Sequence, residues 1–230
     1  MQDFLSGSMF FGVTVSILAY QLGIWLKNKF KCALFNPLLI SILVVMAVLK
    51  LLNLPYQDYN QGAKYLSYLL TPATVCLAIP LYQQLNLLKK HKKALLLGIG
   101  AGVAASLCSI LLMSKAFGFT DEQCITLLPK SITTAIGMSL SEEMGGVVTI
   151  TVASIVITGV LGNVAAEFLC RLFRITDPIA KGAAIGTASH AIGTTKALEM
   201  GEIEGAMSSL AIAVAGLLTV VGMSFLVNFL

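Results

Sequence analysis

Residues 125–140 read ITLLPKSITTAIGMSL, an apolar stretch fit to enter a bilayer but broken in its middle by Pro129, Lys130, Ser131, Thr133 and Thr134. Proline fixes φ and removes a backbone donor, so Leu128-Pro129 predicts the start of a new half-helix there. Backbone that leaves the helix at membrane depth survives only where protein or a watery cavity surrounds it, because an unpaired amide in hydrocarbon costs several kcal/mol. This stretch therefore points to an all-α membrane protein with a discontinuous segment beside a cavity.

Two more segments have the same character. In 65–88, Thr71-Pro72 reads as a cap with proline at the first helical position, and Pro80 as a kink. In 178–196, Asp177-Pro178 is another cap, and from Gly186 the chain runs GTASHAIGTTK, too polar for lipid. Around them lie plain apolar spans at 10–26, 34–52, 94–113, 147–172 and 206–229, each near the roughly 20 residues that cross a bilayer. The expectation is a single domain over 1–230: a polytopic protein of about seven spans plus one re-entrant or broken segment.

Composition agrees. Hydrophobic residues make up 57% and charged residues 11%, against roughly 25% charged in soluble domains, and the mean hydropathy is +0.88. Net charge +4 comes from short lysine clusters between apolar runs, not from a basic face with aromatics, which argues against nucleic acid. Residues 1–8 lack the basic region and cleavage site of a signal peptide, so the first apolar run is expected to remain as a span. Cys32, Cys76, Cys108, Cys124 and Cys170 show no metal-type spacing and are expected to be small buried thiols.

Lysines set the orientation. Lys27, Lys29 and Lys31 follow the first span, and Lys89, Lys90, Lys92 and Lys93 follow the third apolar segment, which puts both loops in the cytoplasm and the N-terminus outside. With 125–140 re-entrant and 178–196 crossing outward, the thirteen loop cations (Lys50 and Lys130 set aside) divide ten inside to three outside. The Pro72 and His190 segments then run in opposite directions, each followed by a small-residue helix, as in an inverted repeat. Those helices carry Gly98, Gly102 and Ser106, and Ala211, Ala215 and Thr219, at spacings that let backbones approach.

Ionisable groups inside membrane segments are costly, so each is a functional candidate. Lys130, in the first turn of the predicted half-helix with Ser131, Thr133 and Thr134, could hold a small carboxylate, or it could snorkel to the interface. His190, with Ser189, Gly193 and Thr194, could donate to an anion, relay a proton or satisfy a neighbouring carbonyl. Glu167 reads as the i,i+4 partner of Arg171 and Lys50 as a snorkelling span end, while Glu199, Glu202 and Glu204 read as a solvated loop and helix start. No cofactor or metal set is present, and no catalytic motif. Lys130 and Ser131, about 100° apart on an α-helix, are not expected to form a dyad.

These residues carry a resemblance. The runs at Asn36-Pro37-Leu38, Pro72-Ala73 to Pro80-Leu81-Tyr82, Pro129-Lys130-Ser131-Ile132-Thr133-Thr134, Gly186 to Thr194 and Glu204 to Ala211 are similar to the LrgB/CidB family, antiholin-like regulators of murein hydrolase export. The match covers essentially the whole chain, with departures at Ala135, where proline is common, and Lys196, where arginine is. The resemblance implies a multi-pass plasma-membrane protein working beside a smaller LrgA/CidA-type partner. It also implies transport of small monocarboxylates such as pyruvate, glycolate, glycerate or lactate, or alternatively a holin-like pore component or lysis regulator; the small-residue faces at Gly98 and Ala211 suit assembly in either case, a homo-oligomer included.

Overall fold

The computed structural model describes residues 9–30, 35–76 and 78–227. Every regular element among them is helical, and they fall into two compact units that divide after Cys76.

The first unit contains α1 (Met9–Phe30), α2 (Pro37–Leu51), α3 (Tyr56–Ser67) and α4 (Leu70–Cys76). Asn36 opens α2 as read from the sequence: its Oδ1 accepts from the amides of Leu38 at 2.9 Å and Leu39 at 3.3 Å, with Pro37 at the first position. Close approach needs glycine here, since a Cβ on Gly23 would fall 2.7 Å from the Pro37 carbonyl. Tyr59 on α3 reaches Ser16 on α1, hydroxyl to hydroxyl, at 2.7 Å. The segment 65–88 is not one kinked span: a turn at 68–69 separates α3 from α4. The first helical bond of α4 runs from the Ala73 amide to the Leu69 carbonyl at 3.0 Å, so the cap is Leu69 and Pro72 sits at the third position. Proline is tolerated there because the first-turn amides have no helical partner. The side chains of Thr71 and Pro80 lie outside the described residues.

The second unit holds α5 (Ala78–Gln83), α6 (Leu85–Phe117), α7 (Asp121–Leu127), a 3-10 turn (Leu128–Ser131), α8 (Thr134–Glu143), α9 (Val148–Leu172), α10 (Pro178–Met200) and α11 (Glu202–Leu226). Two of these segments double back. In the first, Thr120 begins α7 with a capping box to Gln123, and the helix ends at the 3-10 turn, where Pro129 leaves helical geometry. Ile132 and Thr133 are extended, and α8 then returns. The return is fixed by hydrogen bonds: the Val147 amide donates to Thr126 Oγ1 at 2.9 Å, and Thr151 Oγ1 donates to the Thr126 carbonyl at 2.9 Å. Twenty-one residues after Thr126 the chain is therefore beside it again, which makes 125–140 part of a helical hairpin.

The second reversal was not foreseen. Sequence reading carried 178–196 across the membrane, but His190 adopts φ 43° and ψ −143°, and the helix folds back there. A Cβ on Gly193 would lie 3.2 Å from the Ile185 side chain, whereas eight residues of continuous helix span about 12 Å. The first limb of α10 runs alongside α11, Gly182 meeting Glu204 and Gly186 meeting Ser208. The second limb runs against it, Leu198 packing on Gly205 and Thr194 bonded to Ser208. Lys196 thus returns to the end of the unit occupied by Arg171 and Lys181, correcting its expected outward position. Within this unit the paired discontinuous segments are those of Pro129 and His190, not of Pro72 and His190.

The two ends of the unit differ in charge. Lys89, Lys90, Lys92, Lys93, Arg171, Arg174, Lys181 and Lys196 gather at one, where they outnumber Glu167, Asp177, Glu199, Glu202 and Glu204, and Lys115 with Asp121, Glu122, Glu142 and Glu143 at the other. Between them the core comprises Ile99, Val103 and Leu107 of α6, Leu128, Ile132, and Ala211, Ala215 and Met223 of α11. Among the described residues four helices are long and apolar enough to cross a membrane, α1 (from Phe10), α6, α9 and α11, and α2 is shorter. Their outward residues, such as Leu97, Leu112, Ile157, Phe168 and Leu217, are exposed apolar side chains suited to lipid. Cys124 and Cys170 are buried as expected; Cys76 and Cys108 are exposed, contrary to the expectation for them. Cys32 lies outside the described residues.

Candidate functional site

The two hairpins enter the second unit from opposite ends and meet at Ile155 of α9, which is fully buried. Its side chain packs into the gap left by Gly137 of the first hairpin, and its carbonyl accepts the His190 Nε2–H of the second at 3.0 Å. That bond fixes the imidazole tautomer and makes His190 a tip residue held in place by backbone, the third of the roles open to it from sequence.

Beside the tips lies a cavity of about 1,060 Å³ walled by α6, α9 and the first limb of α10. His91 and Asp177 stand at its basic end and Lys130 and Ser131 at its inner end. Lys130 is half-buried; its Nζ donates to Ser131 Oγ at 3.1 Å, and Ser131 Oγ is 3.3 Å from Ser106 Oγ on α6. No acidic side chain among the described residues pairs with Lys130. The Lys130–Ser131 contact overturns the expected separation of these side chains. The 3-10 turn replaces the α-helix assumed for them, and the flexible lysine stem folds back. Lys130 Nζ and the Ser131 and Ser106 hydroxyls thus form one polar cluster at the inner end of the cavity.

Of the other residues singled out from sequence, Ser189 lines the cavity. Thr133 is the cap position of α8 and Thr134 its first residue, five positions later than the helix start read from Pro129. Neither is among the cavity residues. Gly193 packs on Ser189 and Ile185 inside the second hairpin. Thr194 is fully buried and turned away from the cavity, donating to the His190 carbonyl at 2.9 Å and paired with Ser208 Oγ at 2.7 Å. Gly186 breaks no helix; it is the contact point with Ser208 and Ala211 of α11. Glu167 does pair with Arg171, at 2.6 Å, and also with Lys196 at 3.3 Å, which in turn meets Glu199 at 3.4 Å.

Sequence reasoning missed Ser106, Ser109, Thr158 and Thr187, all cavity residues. It also missed Asn163, whose amide donates to the Ile192 carbonyl and to Thr195 Oγ1, both at 2.8 Å, and so ties the returning limb of the second hairpin to α9. The small-residue spacing on α6 was read only as packing. That holds at Gly102, where a Cβ would come 2.9 Å from Thr187, but Gly98 has nothing within 4 Å and opens onto the cavity.

The LrgB-like family model matches residues 16–229. Two similar curated proteins are the antiholin-like protein LrgB of Bacillus cereus (strain B4264) and that of Bacillus anthracis (strain CDC 684 / NRRL 3495). Each is 37% identical over 222 residues, covering 96% of this chain and 96% of the relative. No solved structure matches. A family match from residue 16 to 229 and relatives this similar along nearly their full length identify the chain as a member of the LrgB-like family, a membrane protein with several apolar helices.

Proposed function

We propose that this chain is a transporter or facilitator for small monocarboxylates of the pyruvate, glycolate, glycerate or lactate type, with the cavity as its substrate path. One observation carries the reading: a half-buried lysine at the inner end of a cavity, surrounded by hydroxyls and with no counter-charge among the described residues. Desolvating an ammonium is expensive, and an anion that supplies the missing charge is favoured there. Lys130 takes the carboxylate, and Ser131, Ser106 and Ser189 are placed for a hydroxyl or keto oxygen.

The basic end of the second unit faces the cytoplasm, in keeping with the excess of lysine and arginine there and after α1, which puts the N-terminus outside the plasma (inner) membrane. The first hairpin dips in from outside and the second from inside, leaving α6, α9 and α11 to cross. A smaller LrgA/CidA-type membrane protein is the expected partner, and the chain is not an enzyme.

A second reading, an antiholin-like pore component or regulator of murein hydrolase activity and lysis, is favoured by the name that the Bacillus relatives carry, which speaks for it more directly than for carboxylate transport. Proteoliposome uptake of labelled pyruvate and glycolate, with an encapsulated inert dye and with or without the partner, separates the two. Saturable uptake with dye retained supports transport; dye loss without carboxylate preference supports a pore; no flux of either kind leaves regulation.

A further inference from the structure

The turn that follows α6 recurs after α9. Gly118 and Arg174 both take left-handed φ, 67° and 54°. The Gly118 amide donates to Lys115 and that of Arg174 to Arg171, while Phe119 donates to Ser114 at 2.9 Å and Ile175 to Cys170 at 2.8 Å. The sequence repeats in step: Phe117 as Phe173, Thr120-Asp121 as Thr176-Asp177, Ala135-Ile136-Gly137 as Ala191-Ile192-Gly193, and Glu143-Met144-Gly145 as Glu199-Met200-Gly201, each 56 positions on. Each hairpin is also joined to the helix after it by one buried hydroxyl pair, Ser141 to Thr151 and Thr194 to Ser208, both 2.7 Å.

Helix plus hairpin is therefore one unit present twice, and the copies enter from opposite ends, which relates them by a two-fold axis across the helices. Equivalent positions of the two copies line the same cavity: Gly102 and Thr158, Ser106 and Gly162, Ser131 and Thr187. The cavity lies on that axis. The packing does not follow the symmetry. Ala180 of the second hairpin lines the cavity, while its counterpart in the first, Cys124, is 2% exposed in the core with Leu107 and Met223. Two copies of one unit held in two different packings define a second arrangement of the molecule, in which the packings are exchanged.

We propose that the inner end of the cavity at Lys130 is a single site on this axis, exposed by turns at the basic end, as in this structure, and at the acidic end, the two hairpins exchanging their packing. The identity of the occupant rests on the carboxylate reading above; the exchange does not.

Native Cys124 reports it. With the other four cysteines replaced by alanine, membrane-impermeant maleimide is applied from either side of oriented vesicles. Ala180→Cys on a cysteine-free background reacts from the basic end, and Cys124 reacts from the acidic end at roughly a hundredth of that rate, as for a minor conformer. Ala197→Cys, enclosed between the limbs of the second hairpin, stays unreactive and excludes general loosening. A Cys124 that is silent, or no faster than Ala197→Cys, while Ala180→Cys reacts overturns the exchange, even if pyruvate uptake saturates. Reaction at Cys124 supports it, and a change in the ratio of the two rates with pyruvate then supports the carboxylate site as well. Reaction without any response to pyruvate keeps the exchange and removes the carboxylate assignment.

Discussion

Lys130 owes its place to a proline that fails to continue a helix. Because Pro129 turns the chain out of α7 in a 3-10 turn, the lysine stem folds onto Ser131 at the cavity end and not along a helix face. Lys130→Met keeps the stem and removes the charge; it is expected to lower pyruvate kcat/KM by about a hundredfold or more, the scale of one lost charge-assisted hydrogen bond set, with thermal stability of the detergent-solubilised protein unchanged. Thr194→Val should behave in the opposite way. It leaves Ser208 and the His190 carbonyl without their buried partner, which costs about 1–3 kcal/mol, so the melting temperature falls while the KM of surviving protein is kept. Sequence alone grouped these two residues in one site. The types were legible and their directions were not, since direction depends on where each limb turns.

At the scale of elements, the hairpin at 125–140 was readable because proline and hydroxyls announce it. The hairpin at His190 was hidden because its reversal uses a histidine in the left-handed region, where glycine is the usual signal, and that conformation costs of order 1–3 kcal/mol that its surroundings must offset. Asn163 and the Ile155 carbonyl supply the holding contacts. Asn163→Leu should leave the fold intact but free the returning limb, raising amide hydrogen exchange across 191–196 by about tenfold or more, the loss of roughly 1–2 kcal/mol of local stability. Gly186→Leu should not fold, since its side chain would enter the backbone of α11 at Ser208. A protein of normal yield and melting temperature would show that the first limb and α11 are not packed as described.

On the scale of the whole molecule, composition was sufficient for class, but crossing number was not, because a hairpin and a span have the same hydropathy. Topology mapping tests this. Thr176→Cys and Glu199→Cys should be labelled by impermeant maleimide from the cytoplasmic side, and Glu142→Cys from the outside. Labelling of Thr176→Cys and Glu199→Cys from different sides would restore a crossing at 178–196.

That no described acidic side chain pairs with Lys130 also has an electrical meaning. On the carboxylate reading, an empty site with Lys130 as an ammonium carries one positive charge, and a site holding a monocarboxylate carries none. Moving one charge through the membrane field is worth about 2.3 kcal/mol per 100 mV, so a transmembrane voltage acts on the unloaded molecule and spares the loaded one. An inside-negative potential should draw the empty site toward the cytoplasm. Exchange of carboxylate for carboxylate should then be insensitive to voltage, and net flux should follow it.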